Sequence, residues 1–187
     1  GVKQPFGIVI KGAQGTFKSW FIKLLEKLFG LEHVLTTSNV MDLTGQHATG
    51  LLNKIIVNLN EANINDNKMF EGRLKSLVTE DIVRINPKHK SPLDVNNYIL
   101  FIVTSNKNCP IPLDVVTKER RWFFFESDYK ITNVTTEVCS RIFKLLHNID
   151  FICSVYRYLM NIKVDKIDFR MEHKKNRGSP AYKNVAK

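Results

Sequence analysis

The stretch GAQGTFKS, residues 12–19, has the residue types and spacing of a phosphate-binding loop. Its glycines, lysine and serine match the pattern G-x-x-x-x-G-K-[ST], in which backbone N–H groups hold phosphates, the lysine reaches the β and γ phosphates and the hydroxyl binds Mg²⁺. Phe17 stands where the pattern has its last glycine. The loop keeps its function if this position suits an L-residue whose side chain points outward, and binds nucleotide more weakly if it needs the freedom of glycine. A plain glycine turn with Lys18 in solvent is the alternative.

Polar residues also follow two apolar runs that are typical of buried parallel strands. KIIVNLNEAN (54–63) contains Asn60 and Glu61, and YILFIVTSN (98–106) ends in Asn106. Open α/β sheets bind ligands at the carboxyl ends of their strands, so Glu61 would lie beside the nucleotide if its strand neighbours the first one. There it would orient or deprotonate the attacking water, and the Asn106 amide would position a γ-phosphate or its water. The alternative for Glu61 is a carboxylate that caps the next helix.

Two basic clusters lie beside apolar runs. The sequence KHK at 88–90 lies in a Pro-bounded connection between DIVRI and LDVNNYILFIV, which both have strand character, so a β-hairpin with a basic tip is predicted. Lysine and histidine bind nucleic-acid phosphates irrespective of base, and a basic surface turn is the alternative. Arg120 and Arg121 precede the apolar run Trp122–Phe125, a position in which paired arginines are most often surface charge.

An α/β fold is needed to position these residues. FGIVI (6–10) predicts a strand that enters the loop, and SWFIKLLEKLFG predicts a helix that ends at Gly30. Helical spacing between 137 and 162 predicts a pair of helices packed on the sheet. We therefore divide the chain into a core (1–130), a C-terminal helical segment of the same domain (131–170) and a basic, mobile tail (171–187).

The composition favours a polyanionic partner. Among 187 residues, 28 Lys and Arg stand against 18 Asp and Glu, a net charge of +10 that favours nucleic acid first and an anionic membrane surface second. Cys109, Cys139 and Cys153 lie far apart and have no histidine at metal-ligand spacing, which favours a reducing, intracellular compartment over a disulfide framework or a zinc site. The sequence shows no membrane span or secretory signal. Because it begins at Gly1, we expect a fragment of a longer polypeptide.

The order of these residues along the chain resembles that of the superfamily 3 helicases, the AAA+-like motors of DNA viruses and plasmids. The resemblance runs from about Phe6 to Ser127 and is greatest for the helicase domain of poxvirus-type and phage-type primase-helicases. It includes the successive blocks VLTTSNVMDLTGQHATGLLNKIIVNLNEA, EGRLKSLVTEDIVRINPKHKSPLDVNNYILFIVTSN and ERRWFFFE. It implies a P-loop NTPase fold, with a central, mainly parallel sheet flanked by helices, an inserted β-hairpin and a C-terminal helical segment.

The resemblance also implies a role for each candidate residue. ATP would be bound by Gly12, Ala13, Gln14, Gly15, Thr16, Phe17, Lys18, Ser19 and Trp20. Mg²⁺ would be held by Ser19, Asn60 and Glu61, although Asn60 replaces the usual acidic ligand. Asn106 would be the sensor of the γ-phosphate, and Arg121, or alternatively Arg120, the arginine finger offered to a neighbouring subunit. Such a finger acts only in trans, so a homo-oligomeric ring, commonly a hexamer, is implied. Lys88, His89 and Lys90 would grip single-stranded DNA in the ring channel.

We therefore predict an ATP-dependent DNA helicase or translocase domain of a viral or plasmid replication protein, fused to an N-terminal, primase-type region and acting on single-stranded or forked DNA. The alternative is a nucleic-acid-binding ring module of the same fold in which Phe17 and Asn60 have abolished hydrolysis. A small-molecule or nucleoside kinase shares the loop but explains neither the basic hairpin nor the paired arginines. An RNA substrate stays open, since phosphate contacts do not distinguish the sugars.

Overall fold

The computed structural model describes residues 3, 5–44, 48–61, 68–107, 110–111, 121–127, 135–164, 176 and 183. Its strands are β1 (Gly7–Gly12), β2 (Val34–Thr37), β3 (Ile56–Asn60), β4 (Ile82–Ile85), β5 (Leu93–Asn96), β6 (Leu100–Ser105) and β7 (Trp122–Ser127). Its α-helices are α1 (Lys18–Phe29), α2 (Met41–Thr44), α3 (Lys68–Thr79), α4 (Thr136–Leu145) and α5 (Ile149–Met160), with 3₁₀ turns at Leu31–His33 and Thr49–Leu51.

Five strands form a parallel sheet in the order β2-β3-β6-β1-β7. The expected α/β fold with a mainly parallel sheet and flanking helices is therefore confirmed. The strand that precedes Glu61, β3, is not a neighbour of the first strand, β1, so the condition stated for Glu61 is not met. β6 lies between β1 and β3, because consecutive strands of a parallel sheet need crossover connections and need not be adjacent.

Apolar side chains cover both faces of the sheet, which is why its strands read as continuous apolar runs. On one face Ile56 and Ile102 pack with Ile22 of α1. On the other face Val57 and Val103 belong to a larger buried cluster that includes Leu77 of α3. Successive residues of β3 thus alternate between two cores.

β4 and β5 form an antiparallel hairpin outside the parallel sheet, with Val83 opposite Val95 and Ile85 opposite Leu93. The predicted hairpin is confirmed. The interpretation of LDVNNYILFIV as one strand is wrong, because the run divides into β5 and β6 at Asn97. The Asn97 side chain is buried and binds backbone groups there, so the chain turns instead of continuing in one sheet.

α1 ends at Phe29, before Gly30, whose φ of 89° suits glycine and whose N–H donates to the carbonyl of Glu26. The predicted C-terminal helical pair is also present, as α4 and α5. Among the described residues α5 contacts α1. The C-terminal helical pair therefore packs on α1 and not on the sheet alone. The predicted tail, 171–187, lies outside the described residues except for Asn176 and Lys183.

Candidate functional site

The loop between β1 and α1 encloses the ammonium group of Lys18. Its Nζ donates to the carbonyl oxygens of Gly12 and Ala13, both at 2.7 Å, and lies 3.3 Å from Oγ1 of Thr16. The Thr16 hydroxyl also donates to the Ala13 carbonyl at 2.9 Å. These contacts make a closed turn at the start of α1, the position at which a helix favours bound anions.

Partial burial and the negative charge of Glu61 shift the pKa of Lys18 in opposite directions. Desolvation lowers the pKa of the Lys18 ammonium, and the negative charge of Glu61 raises that pKa part of the way back. Glu61 directly follows β3, so it lies at the same carboxyl edge of the sheet as the loop that follows β1, although β6 separates the two strands. The lysine and the carboxylate therefore share one edge of the sheet.

Phe17 adopts the backbone conformation that favours glycine. Its φ and ψ are 60° and 16°, in the left-handed region, a backbone conformation that costs an L-residue about 1–2 kcal/mol of free energy. Its carbonyl still accepts from the N–H of Phe21 at 3.0 Å and so begins α1. The ring is half-buried, with its centroid 6.4 Å from that of Phe143 in α4. Phe17 thus keeps the glycine-like turn while its side chain packs against the C-terminal helical pair.

Trp20 connects the first turn of α1 to the same helical pair. Its Nε1 donates to the carbonyl of Ile142 at 2.9 Å, and its ring centroid lies 6.4 Å from that of Phe151. The indole N–H of Trp20, a residue predicted to bind ATP, therefore bonds α4. Sequence reasoning missed Phe143 and Ile142, because their relation to the loop depends on packing between distant segments.

The carboxyl ends of β3 and β6 are joined by Thr104. Its hydroxyl lies 3.1 Å from Oδ1 of Asn58 and 3.1 Å from Oδ1 of Asn60, and its carbonyl accepts from the N–H of Glu61 at 2.8 Å. Glu61 is exposed and has a φ of 52°, a conformation that is uncommon for this residue type and that is concentrated at functional sites. Thr104, a residue the sequence did not single out, thus holds both Asn60, the last residue of β3, and Glu61, which follows it.

Asn106 directly follows β6 and is exposed. The turn there is held by a hydrogen bond from the N–H of Lys107 to Oγ of Ser105 at 3.0 Å. Since β6 lies between β3 and β1, this amide occupies the part of the edge between Glu61 and the loop. The predicted sensor and the predicted base therefore share one edge with Lys18.

The oxygen donors at this edge fit a magnesium ion that keeps most of its water. Ser19 and Glu61 are exposed, whereas Asn60 Oδ1 already contacts the Thr104 hydroxyl. In the described part of the chain there is no group of three or more His, Cys, Asp or Glu that could hold a metal. One carboxylate with neutral oxygens suits Mg²⁺ bound mainly through phosphate and water.

Arg121 lies at the opposite edge of the sheet. It immediately precedes β7, and its carbonyl accepts from the N–H of Gly7, the first residue of β1, at 2.7 Å. The register then runs from Gly7–Trp122 to Gly12–Ser127, so Arg121 and the loop are separated by six residues, or roughly 20 Å of strand at about 3.3 Å per residue. Arg121 does not meet the loop of its own chain. Arg120 lies outside the described residues.

The tip of the β4–β5 hairpin presents the predicted basic residues to solvent. Lys88, His89 and Lys90 are all exposed, and His89 has a left-handed φ of 59°. The root of the hairpin is held by Asn97, whose Nδ2 donates to the carbonyls of Leu77 and Glu80 at 2.8 and 2.7 Å. The basic tip is thus carried on an anchored element.

A cavity of about 490 Å³ lies between this hairpin and the segment that precedes β3. Its lining includes Lys54, Ile55, Val83, Val95 and Tyr98. Because Lys54 and Ile55 come before β3, the cavity is at the amino edge of the sheet and is separate from the Gly12–Ser19 loop.

Comparison with known proteins gives a family and related structures. Residues 10–121 match the family described as "Family of unknown function (DUF5906)". The "DNA Primase-polymerase" of Nitratiruptor phage NrS-1 is 30% identical over 161 residues, which are 84% of this chain and 22% of the phage protein. Two apo structures of the NrS-1 C terminal region are each 28% identical to this chain. The first match covers 97% of this chain and 42% of the solved chain, with a TM-score of 0.75. The second covers 98% of this chain and 41% of the solved chain, with a TM-score of 0.71.

The chain is therefore related in sequence and fold to the C-terminal region of a larger phage replication protein, and it spans less than half of that region. Among the described residues, the helices are too short or too polar to cross a bilayer.

Proposed function

This chain belongs to the family described as "Family of unknown function (DUF5906)", and on that premise we propose that it is an ATP-dependent DNA helicase or translocase domain of a viral replication protein, working as an oligomeric ring. The observation that carries the proposal is that Lys18, Asn106 and Glu61 follow the neighbouring strands β1, β6 and β3 at the carboxyl edge of a parallel sheet, where such sheets bind ligands. The relation to a phage primase-polymerase supports a role in replication.

In this proposal the loop binds ATP through its backbone N–H groups and the amino end of α1. Lys18 exchanges its bonds to the Gly12 and Ala13 carbonyls for bonds to the β and γ phosphates. Ser19 and Glu61 would hold Mg²⁺, which would supply positive charge beside the phosphates. Glu61 accepts a proton from, or orients, the attacking water, and Asn106 hydrogen-bonds the γ-phosphate or that water.

Arg121 completes the site of a neighbouring subunit. Its place at the amino edge of β7 supports a role in trans, because the arginine is distant from the loop of its own chain. A guanidinium supplied from a neighbour stabilises charge in the phosphoryl-transfer transition state, and hydrolysis then requires a ring.

The nucleic-acid contact is proposed at the hairpin tip. Lys88, His89 and Lys90 are exposed together, and the chain has a net charge of +10, both of which support binding to the DNA backbone. Phosphate contacts of this kind suit movement along a strand without regard to sequence. They also leave RNA as a possible substrate. Such a domain would be joined to a primase-type region and would act inside the host cell, in a reducing compartment.

A hydrolysis-deficient ring module of the same fold is the second candidate. The left-handed backbone of Phe17 and the neutral Asn60, which contacts Thr104, are the observations that favour it. In that case ATP would be bound without turnover.

ATP hydrolysis by the purified protein, measured with and without single-stranded DNA, tests these alternatives. A motor gives hydrolysis that single-stranded DNA stimulates and that Lys18→Ala abolishes. Nucleotide binding without hydrolysis identifies the inactive ring module. Phosphate transfer to an added nucleoside, without an effect of DNA, would contradict both and indicate a kinase.

A further inference from the structure

Lys11 and Glu126 form an ion pair next to the phosphate loop, and the proposed reaction does not use it. Lys11 Nζ lies 2.7 Å from Glu126 Oε1, and the two side chains are 11% and 15% exposed. The residues are register partners in the parallel pair β1–β7, so both side chains extend from the same face of the sheet. That face is the one opposite α1, because Val9, two residues before Lys11, packs in the cluster on that side.

The ion pair lies at the root of the loop. Lys11 directly precedes Gly12, and Glu126 directly precedes Ser127, which pairs with Gly12. A Cβ atom at Gly12 would lie 2.7 Å from Thr16 Oγ1 and 3.2 Å from the Ser127 carbonyl, so the end of β7 is one wall of the loop. A displacement of β7 would therefore be transmitted directly to Gly12.

The other end of β7 carries Arg121. There the Trp122 side chain is 3% exposed and closely contacts Gly7, where a Cβ would lie 2.3 Å from the indole ring. On the outer edge of the strand, the Asn176 side chain accepts from the N–H of Phe124 at 2.8 Å and donates to its carbonyl at 2.9 Å. β7 is thus bonded along both of its edges between the arginine and the ion pair.

We propose that Lys11 and Glu126 are positioning residues that couple two nucleotide sites of the ring. Their ion pair fixes β7 relative to the loop of their own subunit, and β7 in turn sets where Arg121 stands in the site of the neighbour. Buried charges tolerate few arrangements, since each is costly without its partner, so the pair favours a single placement of the strand. The inference rests on the proposed function, because it needs a ring in which Arg121 acts in trans.

Mixed rings separate this role from a local effect on the loop. Arg121→Ala subunits supply intact loops, and Lys18→Ala subunits supply intact arginines, so mixing them restores hydrolysis if the arginine acts in trans. The test adds Glu126→Gln to the Lys18→Ala subunit. Because the loop of that subunit is already inactive, any further loss of hydrolysis reports on the placement of its Arg121.

We expect the added Glu126→Gln to lower the restored hydrolysis at least fivefold. Reversing the pair in the Lys18→Ala subunit, with Lys11→Glu and Glu126→Lys together, should recover most of it, because the ion pair and not either residue by itself is required. The control is Glu71→Gln, which removes the partner of Lys75 from a more exposed ion pair on α3 and should leave the restored hydrolysis unchanged. Native mass spectrometry verifies that each mixture forms mixed oligomers.

Equal restoration by the Lys18→Ala subunit with and without Glu126→Gln would overturn the inference and leave the proposed function standing. Failure of a folded, mixed, charge-reversed subunit to restore hydrolysis would also overturn it. If the unmodified protein does not hydrolyse ATP, or if Lys18→Ala and Arg121→Ala subunits restore nothing together, the proposed function itself is wrong and this inference falls with it.

Discussion

The backbone N–H of Glu61 donates to the carbonyl of Thr104 at 2.8 Å. Through this bond β6, the strand beside β1, holds the residue that directly follows β3. Glu61 has a left-handed backbone conformation there, with φ of 52°. The carboxylate is thereby kept at the edge where Lys18 lies, although β3 and β1 do not touch as neighbours.

Substitutions at Glu61 and Asn60 should have opposite effects on turnover. Glu61→Gln removes the proton acceptor and should lower the rate of ATP hydrolysis by about 10²-fold or more while nucleotide stays bound. Asn60→Asp adds a carboxylate at the end of β3 and should preserve or raise the rate, because Mg²⁺ would gain a charged ligand. Steady-state hydrolysis and binding of a fluorescent nucleotide measure the two effects. Unchanged turnover in Glu61→Gln would remove Glu61 from the mechanism.

Phe17→Gly should change nucleotide affinity little. Glycine relieves a left-handed backbone cost of about 1–2 kcal/mol, but it also loses the contact with Phe143, so the free energy of unfolding should shift by no more than about 1 kcal/mol. Phe143→Ala is the control, since it loses the contact without relieving the backbone and should be the less stable variant. Urea denaturation and nucleotide titration test both. If Phe17→Gly created binding in a protein that otherwise had none, the natural loop would be defective.

Removing the hairpin lysines should weaken DNA binding without affecting basal hydrolysis. With Lys88 and Lys90 both replaced by alanine, the slope of log affinity against log salt concentration should become shallower by roughly 0.7 per lost phosphate contact on a single strand. Lys23 and Lys27, exposed on α1, provide a matched pair for the control. Fluorescence anisotropy at several salt concentrations gives the slope. An unaltered slope in the hairpin variant would show that the tip is a basic surface turn that does not contact DNA phosphates.

Lys3 should make stability increase with pH in the alkaline range. Burial lowers the pKa of its ammonium to about 8, partly opposed by the charge of Asp81, and its Nζ bonds the Ile99 carbonyl over the ring of Phe101. Between pH 8 and the ordinary lysine pKa of 10.5, the unfolded chain binds more protons at this residue, so its unfavourable contribution fades as the pH rises.

The size of this effect should be on the order of 1 kcal/mol, because the side chain is partly screened by solvent. Urea denaturation from pH 7.5 to 10.5 measures it, with Lys3→Met as the comparison, since methionine does not titrate. A pH dependence that is the same in both proteins would contradict the assignment to Lys3.

Local sequence patterns were sufficient to predict several secondary-structure elements. The apolar run before Gly12 and the helical spacing after it predicted a strand, a loop and a helix, and the structure has β1 and α1 there. The Pro-bounded basic connection likewise predicted the β4–β5 hairpin. These elements are determined by residues that are close in the chain, through hydrogen bonds, turn chemistry and the period of apolar side chains.

Relations between distant segments depended on the tertiary structure. The insertion of β6 between β1 and β3, the place of Arg121 at the opposite edge from Lys18 and the Lys11–Glu126 ion pair all follow from strand order and register. The contact of Phe17 with Phe143 follows from how the C-terminal helices pack on α1. The spacing of apolar residues along the chain does not determine such relations. Strand order depends on burying both faces of the sheet at once, and it brings together residues that are more than a hundred positions apart in the sequence.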